Sequence, residues 1–174
     1  MSKNVSQIIK LNTVMKNTIL MGGLLAVILT LSAACDQKKA EIPIDKDKIK
    51  AEIQAIEDRF ALTYTRRNTD SLTYYADDAV SYFVGQKPIV GKAAIHQFIE
   101  NELKDFPEGA KIINETLEIF VADDGNRVAE IGAYKQVDST GTILQVGHYF
   151  SFFAKRNGKY VCTRDMANSY PPDN

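Results

Sequence analysis

The spacing of apolar residues changes once along this chain, at Pro107-Glu108-Gly109, and that change limits the folds open to it. Before it, Ile49, Ile53, Ile56 and Phe60 recur at i, i+4, i+7 and i+11, one stripe of a 3.6-residue period. After it the period is two, in runs separated by turn signals. Strands are predicted over 112–122, 127–137, 142–155 and 159–166, with Asp123-Asp124-Gly125-Asn126, Asp138-Ser139-Thr140-Gly141 and Arg156-Asn157-Gly158 between them. Asn168-Ser169-Tyr170-Pro171-Pro172 is expected to end the last strand, because proline donates no ladder hydrogen bond.

The helical part divides further. A first helix is predicted from Asp45 to about Arg66, with Lys46, Lys48, Lys50, Glu52, Glu57, Asp58 and Arg59 on its outer face. Asp70 is expected to cap a short second helix carrying Leu72, Tyr74 and Tyr75. Asp77-Asp78 reads as a turn before a short strand at 80–84, and Gly91 opens a third helix with Ile95, Phe98, Ile99 and Leu103 inward. Helices first and long antiparallel strands last make an α+β domain. The run 143–154 adds a constraint: Leu144, Val146, Phe150 and Phe152 fall on one face, Ile143, Tyr149 and Phe153 on the other. A sheet with one wet face alternates with polar residues, so both faces are expected to be covered, one by helices and one by a second copy in a homodimer.

The amino-terminal segment reads differently. Lys3, Lys10 and Lys16 are the only charges before Asp36, and Asn17 to Ala34 is uncharged, centred on Ile19 to Leu29. A basic stretch, a short apolar core and small residues is the layout of a secretory signal, and the apolar core is short of the ~20 residues a bilayer span needs. Leu31-Ser32-Ala33-Ala34-Cys35 resembles the bacterial lipobox, which implies cleavage after residue 34 and a lipid on Cys35. Residues 1–34 are therefore expected to be a lipoprotein signal, 35–44 a polar tether, and 45–174 the domain, held in the cell envelope by a membrane anchor, periplasmic or surface-facing. Met15-Lys16-Asn17 would begin a signal of usual length, so both Met1 and Met15 stand as starts.

Three of the chain's 21 Lys and Arg lie in that leader, against 22 Asp and Glu beyond it, so the mature part is acidic and nucleic acid is not an expected partner. Two histidines and a lone Cys162 beyond the leader give no recognisable metal set, and no phosphate loop, dinucleotide fingerprint or Gly-x-Ser-x-Gly elbow is present, so no cofactor is expected.

The ordered strings Tyr75-Ala76-Asp77-Asp78-Ala79-Val80, Val84-Gly85-Gln86-Lys87-Pro88-Ile89-Val90-Gly91, Gly147-His148-Tyr149-Phe150 and Asn157-Gly158-Lys159-Tyr160 resemble the nuclear transport factor 2-like superfamily, in its SnoaL-like and ketosteroid-isomerase-like branch, over residues 48–169. The resemblance implies a cone: a curved antiparallel sheet wrapped around three helices, with a pocket at the open end. It implies the isomerase less well. Where that enzyme carries its base this chain has Tyr82, and where it carries its oxyanion tyrosine this chain has Phe60. Two expectations follow. The first is non-catalytic binding of a small apolar or partly polar ligand, or of a partner protein. Tyr64, Tyr82, Tyr134, His148 and Arg164 are its candidate contacts, Arg164 and its neighbour Asp165 facing opposite ways so that one of the two enters the pocket. The second is a cofactor-free isomerase, cyclase or hydratase in which His148, a neutral-pH proton carrier, works with a tyrosine.

Overall fold

A computed structural model describes residues 43–70 and 72–172, so the leader, Cys35 and most of the tether lie outside the described residues. Within them the order is α1 (Lys46–Arg66), β1 (Tyr75–Tyr82), β2 (Ile89–Val90), α2 (Lys92–Asp105), β3 (Lys111–Val121), β4 (Arg127–Val137), β5 (Ile143–Arg156) and β6 (Lys159–Tyr170). The strands form one curved, unclosed sheet in the order β2-β1-β6-β5-β4-β3. It is α+β as expected, but the sheet is mixed, because β1 runs parallel to β6.

Two helices, not three, stand among the described residues. The segment expected to form the second helix is extended, because its side chains and backbone are engaged in opposite directions. The Tyr74 carbonyl accepts from the Cys162 N–H at 2.8 Å, and the Tyr74 hydroxyl reaches back to Glu57 on α1. One residue on, Tyr75 already pairs with Cys162 in the sheet. Asp77 and Asp78 accordingly lie within β1, in an irregular stretch between Tyr75 and Val80, and not in a turn before it. β6 also outlasts its expected end: Gly147–Ser169 and Val146–Tyr170 still pair, and the strand stops only before Pro171.

α1 begins with Asp45, whose carboxylate accepts from the Lys48 N–H at 2.9 Å, and ends at Arg67 in the left-handed region, φ 50°. The Arg67 guanidinium then donates to the carbonyls of Leu103 and Phe106, tying the ends of α1 and α2 together. Ile53 and Ile56 of α1, Ile95, Ile99 and Leu103 of α2, and Val128, Phe153 and Cys162 of the sheet make one core on the concave face.

The two ends of this unit differ. At one, Ile44 lies against Gly125 of the β3–β4 turn, Tyr160 donates to the Gly125 carbonyl at 2.5 Å, and the Lys155 N–H donates to the Asn126 carbonyl, so the cone is closed. The inward side chains become more exposed toward the other end. On β4 they pass from fully buried Val128 and Glu130 to half-buried Tyr134; on β6 from buried Cys162 to half-buried Asp165 and exposed Ser169.

Candidate active site and ligand site

The concave face carries acids that helical and strand spacing do not advertise. Glu57, expected on the outer face of α1, is buried one residue beyond Ile56, and Glu130 is buried between the apolar neighbours of β4. Around them lies a set of hydrogen bonds. Tyr74 donates to Glu57 Oε1 at 2.6 Å and meets Ser151 Oγ at 3.1 Å. Asn114 donates to Glu57 Oε2 at 3.0 Å, Thr116 to Glu130 Oε1 at 2.6 Å, and Tyr149 to the same oxygen at 3.3 Å. Burial first, and then the charge of Glu130, raises Glu57 well above the ordinary glutamate range; burial raises Glu130 as well. Glu130 Oε2 is buried with no hydrogen-bond partner among the described residues.

Nearer the open end is a second acid, Asp165 on β6. Tyr75 donates to its Oδ2 at 2.8 Å, while Oδ1 is shielded from solvent and has no partner among the described residues. Ser81 stands opposite it on β1, also inward, with its hydroxyl unpartnered by the same measure. Burial raises the Asp165 carboxyl above the usual aspartate range, against the opposing pull of the Ser81 and Tyr75 hydroxyls. Tyr64 and Tyr134 complete the wall: burial raises both phenols, and Tyr64 also feels Glu102, Asp165 and Tyr134. Two glycines make room for this wall. The Tyr149 ring lies across Gly132 and the Tyr134 ring across Gly147, each so close that a Cβ there would overlap the ring.

Of the five ligand contacts expected from the sequence, only Tyr64 and Tyr134 share this face. Tyr82 is one residue out of phase, exposed on the convex side, and Ser81 takes the inward place. His148 alternates with inward Tyr149 and is exposed on the convex side, its ring stacked on Tyr170 with centroids 6.0 Å apart. Arg164 is outward because of a β-bulge: Cys162 pairs with Phe153 and Arg164 with Phe152, so Thr163 is the extra residue. Alternation counted from buried Cys162 would send Arg164 inward; the bulge sends Asp165 there. His148 therefore cannot act on one molecule together with Tyr64 or Tyr134. Phe60 is packed on Tyr74 and Tyr75, ring centroids 4.4 and 6.0 Å away, and offers no oxyanion donor.

An open cleft of about 1630 Å³ is lined by α1 from Glu52 to Arg66, by Leu72 to Asp78 and by the β5–β6 turn, and reaches Ile56, Phe60, Tyr74 and Tyr75. Among the described residues there is no cluster of three metal-binding side chains, and no helix long and apolar enough to cross a membrane.

No family model matches the chain, and no curated protein matches it. Solved structures do. A protein of unknown function with a cystatin-like fold from Nostoc punctiforme superposes with a TM-score of 0.62 at 16% identity, covering 74% of this chain and 94% of that one. The hexachlorocyclohexane dehydrochlorinase LinA-type3 from Novosphingobium barchaimii gives 0.61 at 17% identity, covering 74% and 91%. A putative scytalone dehydratase from Novosphingobium aromaticivorans gives 0.58 at 16%, covering 69% and 83%. The fold is thus the cystatin-like one of nuclear transport factor 2-like proteins. At these identities the likeness is one of fold, and function rests on the side chains.

Proposed function

We propose that the cone holds a small, partly polar organic molecule, its polar end on Asp165 and its apolar body against Tyr64 and Tyr134. The observation that supports this reading is Asp165 Oδ1, a shielded carboxyl oxygen that, like the Ser81 hydroxyl opposite it, makes no hydrogen bond within 3.5 Å. Buried polar atoms are as a rule hydrogen-bonded, so one left over beside two tyrosines on the concave face is a place for a ligand atom. With Tyr75 donating to Oδ2, a protonated Asp165 offers its own O–H to a carbonyl or ether oxygen.

Ligand-observed NMR on a panel of aryl ketones and cyclic ethers tests this, with Asp165→Leu as the comparison. At least one compound class should bind, at least tenfold more weakly to the variant. Equal binding to both proteins would overturn the reading.

A second reading has the same residue as a proton-transfer group, because burial keeps the Asp165 carboxyl protonated to higher pH than an ordinary aspartate. Two structural neighbours are named for a dehydrochlorinase and a putative dehydratase. The same spectra separate the readings: a bound compound that changes chemically over hours, and no longer does so with Asp165→Asn, identifies an enzyme.

Tethering by a lipid on Cys35 completes the proposal. Incorporation of labelled palmitate, lost in Cys35→Ala, is the expected result; unchanged labelling would end that part of the proposal.

A further inference from the structure

The chain carries slightly more acid than base, 21 Lys and Arg against 22 Asp and Glu, so a local excess of cations is a product of the fold. Such an excess lies at the margin of the convex face, toward the closed end. There a shallow groove of about 600 Å³ is lined by Arg127, Lys155, Arg156 and Arg164, with Asp78 as its one acid. Strand alternation builds it. Phe152, Ala154 and Arg156 share the convex face of β5; Arg127 is the register partner of Ala154 on β4, and Arg164 that of Phe152 on β6. Ala154 is the small residue among them and leaves a floor with long side chains standing around it. Arg127 and Arg164 are two strand spacings apart, about 10 Å, so both reach a group held over β5. The bulge at Thr163 is what brings Arg164 to this face.

The protein itself makes little use of these charges. Among the described residues the one ion pair is Arg156 with Asp78, at 4.0 Å with side chains 56% and 70% exposed, which is worth little in water. Arg164 Nη1 donates to the carbonyls of Asp78 and Thr163, at 3.2 and 2.5 Å. Those bonds set the guanidinium against the backbone and leave its other two nitrogens for an outside acceptor. Asp124 on the β3–β4 turn feels Arg127, but its carboxylate accepts from the Asn126 N–H at 2.9 Å and forms no ion pair with the arginine. Like charges gathered in one groove repel, and an anion removes that repulsion.

We infer that this groove binds a phosphate group carrying an apolar substituent. One arginine fork satisfies both oxygens of a carboxylate, whereas a phosphate has oxygens enough for several forks at once, and three arginines line this groove. Phe152, 45% exposed beside them, offers its ring to the substituent. The groove is on the opposite face of the sheet from Asp165, so it does not depend on the ligand site of the concave face.

Titration of 1-naphthyl phosphate into the full chain in a mild non-ionic detergent, followed by phosphorus NMR, tests the inference. The wild type should bind saturably. Arg127→Gln, Arg164→Gln and Phe152→Ser should each weaken binding at least tenfold while circular dichroism stays unchanged. Inorganic phosphate should bind at least tenfold more weakly than the ester, because it leaves the Phe152 ring in water. Asp165→Leu should leave the affinity for the ester unchanged; loss of binding in that variant would put the ester in the cone and overturn the inference. Binding that does not saturate at millimolar concentration, or that ignores all three groove substitutions, overturns it as well. A phosphate of this kind has two sources, a soluble ester and a lipid headgroup, and phosphatidylglycerol mixed into the micelles tells them apart. Displacement of the ester at a lower concentration than the ester itself needs assigns the groove to lipid; weaker displacement, or none, assigns it to a soluble ester.

Discussion

Glu130 shows how a single side chain sets the pH response of the domain. In the folded state Glu57 and Glu130 hold protons more tightly than in the unfolded chain, because both are buried. Stability from this pair is fully present below the ordinary glutamate range and is lost as pH rises through the raised folded values. Glu130→Gln should remove part of that loss, because an amide keeps acceptance from Thr116 and Tyr149 and adds no charge beside Glu57, whose own burial remains. Thermal melts at pH 5 and pH 8 check it: the variant should melt above the wild type at pH 8, with the gap closing at pH 5. Gly132→Ala works in the opposite direction. Its Cβ overlaps the Tyr149 ring, so the ring must leave Glu130, and a loss of about 1–3 kcal/mol in urea unfolding is expected. None of these acids was legible in the sequence. A carboxylate beside an apolar stripe reads as surface by every burial rule, and only the hydroxyls and amide that meet it in space reverse that reading.

For the elements, hydrophobic period carried most of the architecture. α1 and the four long strands lie within a few residues of where spacing places them, and Asn157-Gly158 forms the expected tight turn with both residues at positive φ. What spacing misses is what tertiary pairing dictates: the extended segment before Tyr75, and the bulge that exchanges Arg164 for Asp165. Of the expected contacts Tyr64 and Tyr134 fall on the concave face, while the choice between Arg164 and Asp165, open in the sequence, turns on the bulge. The outer edge of β3 is likewise decided by a helix far away in the chain. Gln54 accepts from the Thr116 N–H at 2.8 Å and donates to the Asn114 carbonyl at 3.0 Å, beside a bulge between Thr116 and Glu118. Two backbone groups of an edge strand are thereby occupied by a side chain. Gln54→Ala should cost about 1–2 kcal/mol and speed hydrogen exchange at the Thr116 amide, read by NMR, more than at Ile119.

On the scale of the whole molecule, the first long strand of the sheet finds its partner only in the last: Val80 pairs with Arg164, Ser81 with Asp165 and Tyr82 with Met166. The order of synthesis therefore governs when this domain can exist. A ribosome or an export channel that has released everything up to Gly158 has delivered two helices and three hairpin-linked strands, yet β1 has no neighbour but the two-residue β2, and β5 has a bare edge. Contacts so distant along the chain are slow to form and cannot be anticipated by local structure. A chain ending at Gly158 should show no cooperative thermal transition in circular dichroism, whereas one ending at Pro172 should melt like the full chain. A protein built this way stays threadable until the 12 residues of β6 arrive, and then acquires its concave wall in one step.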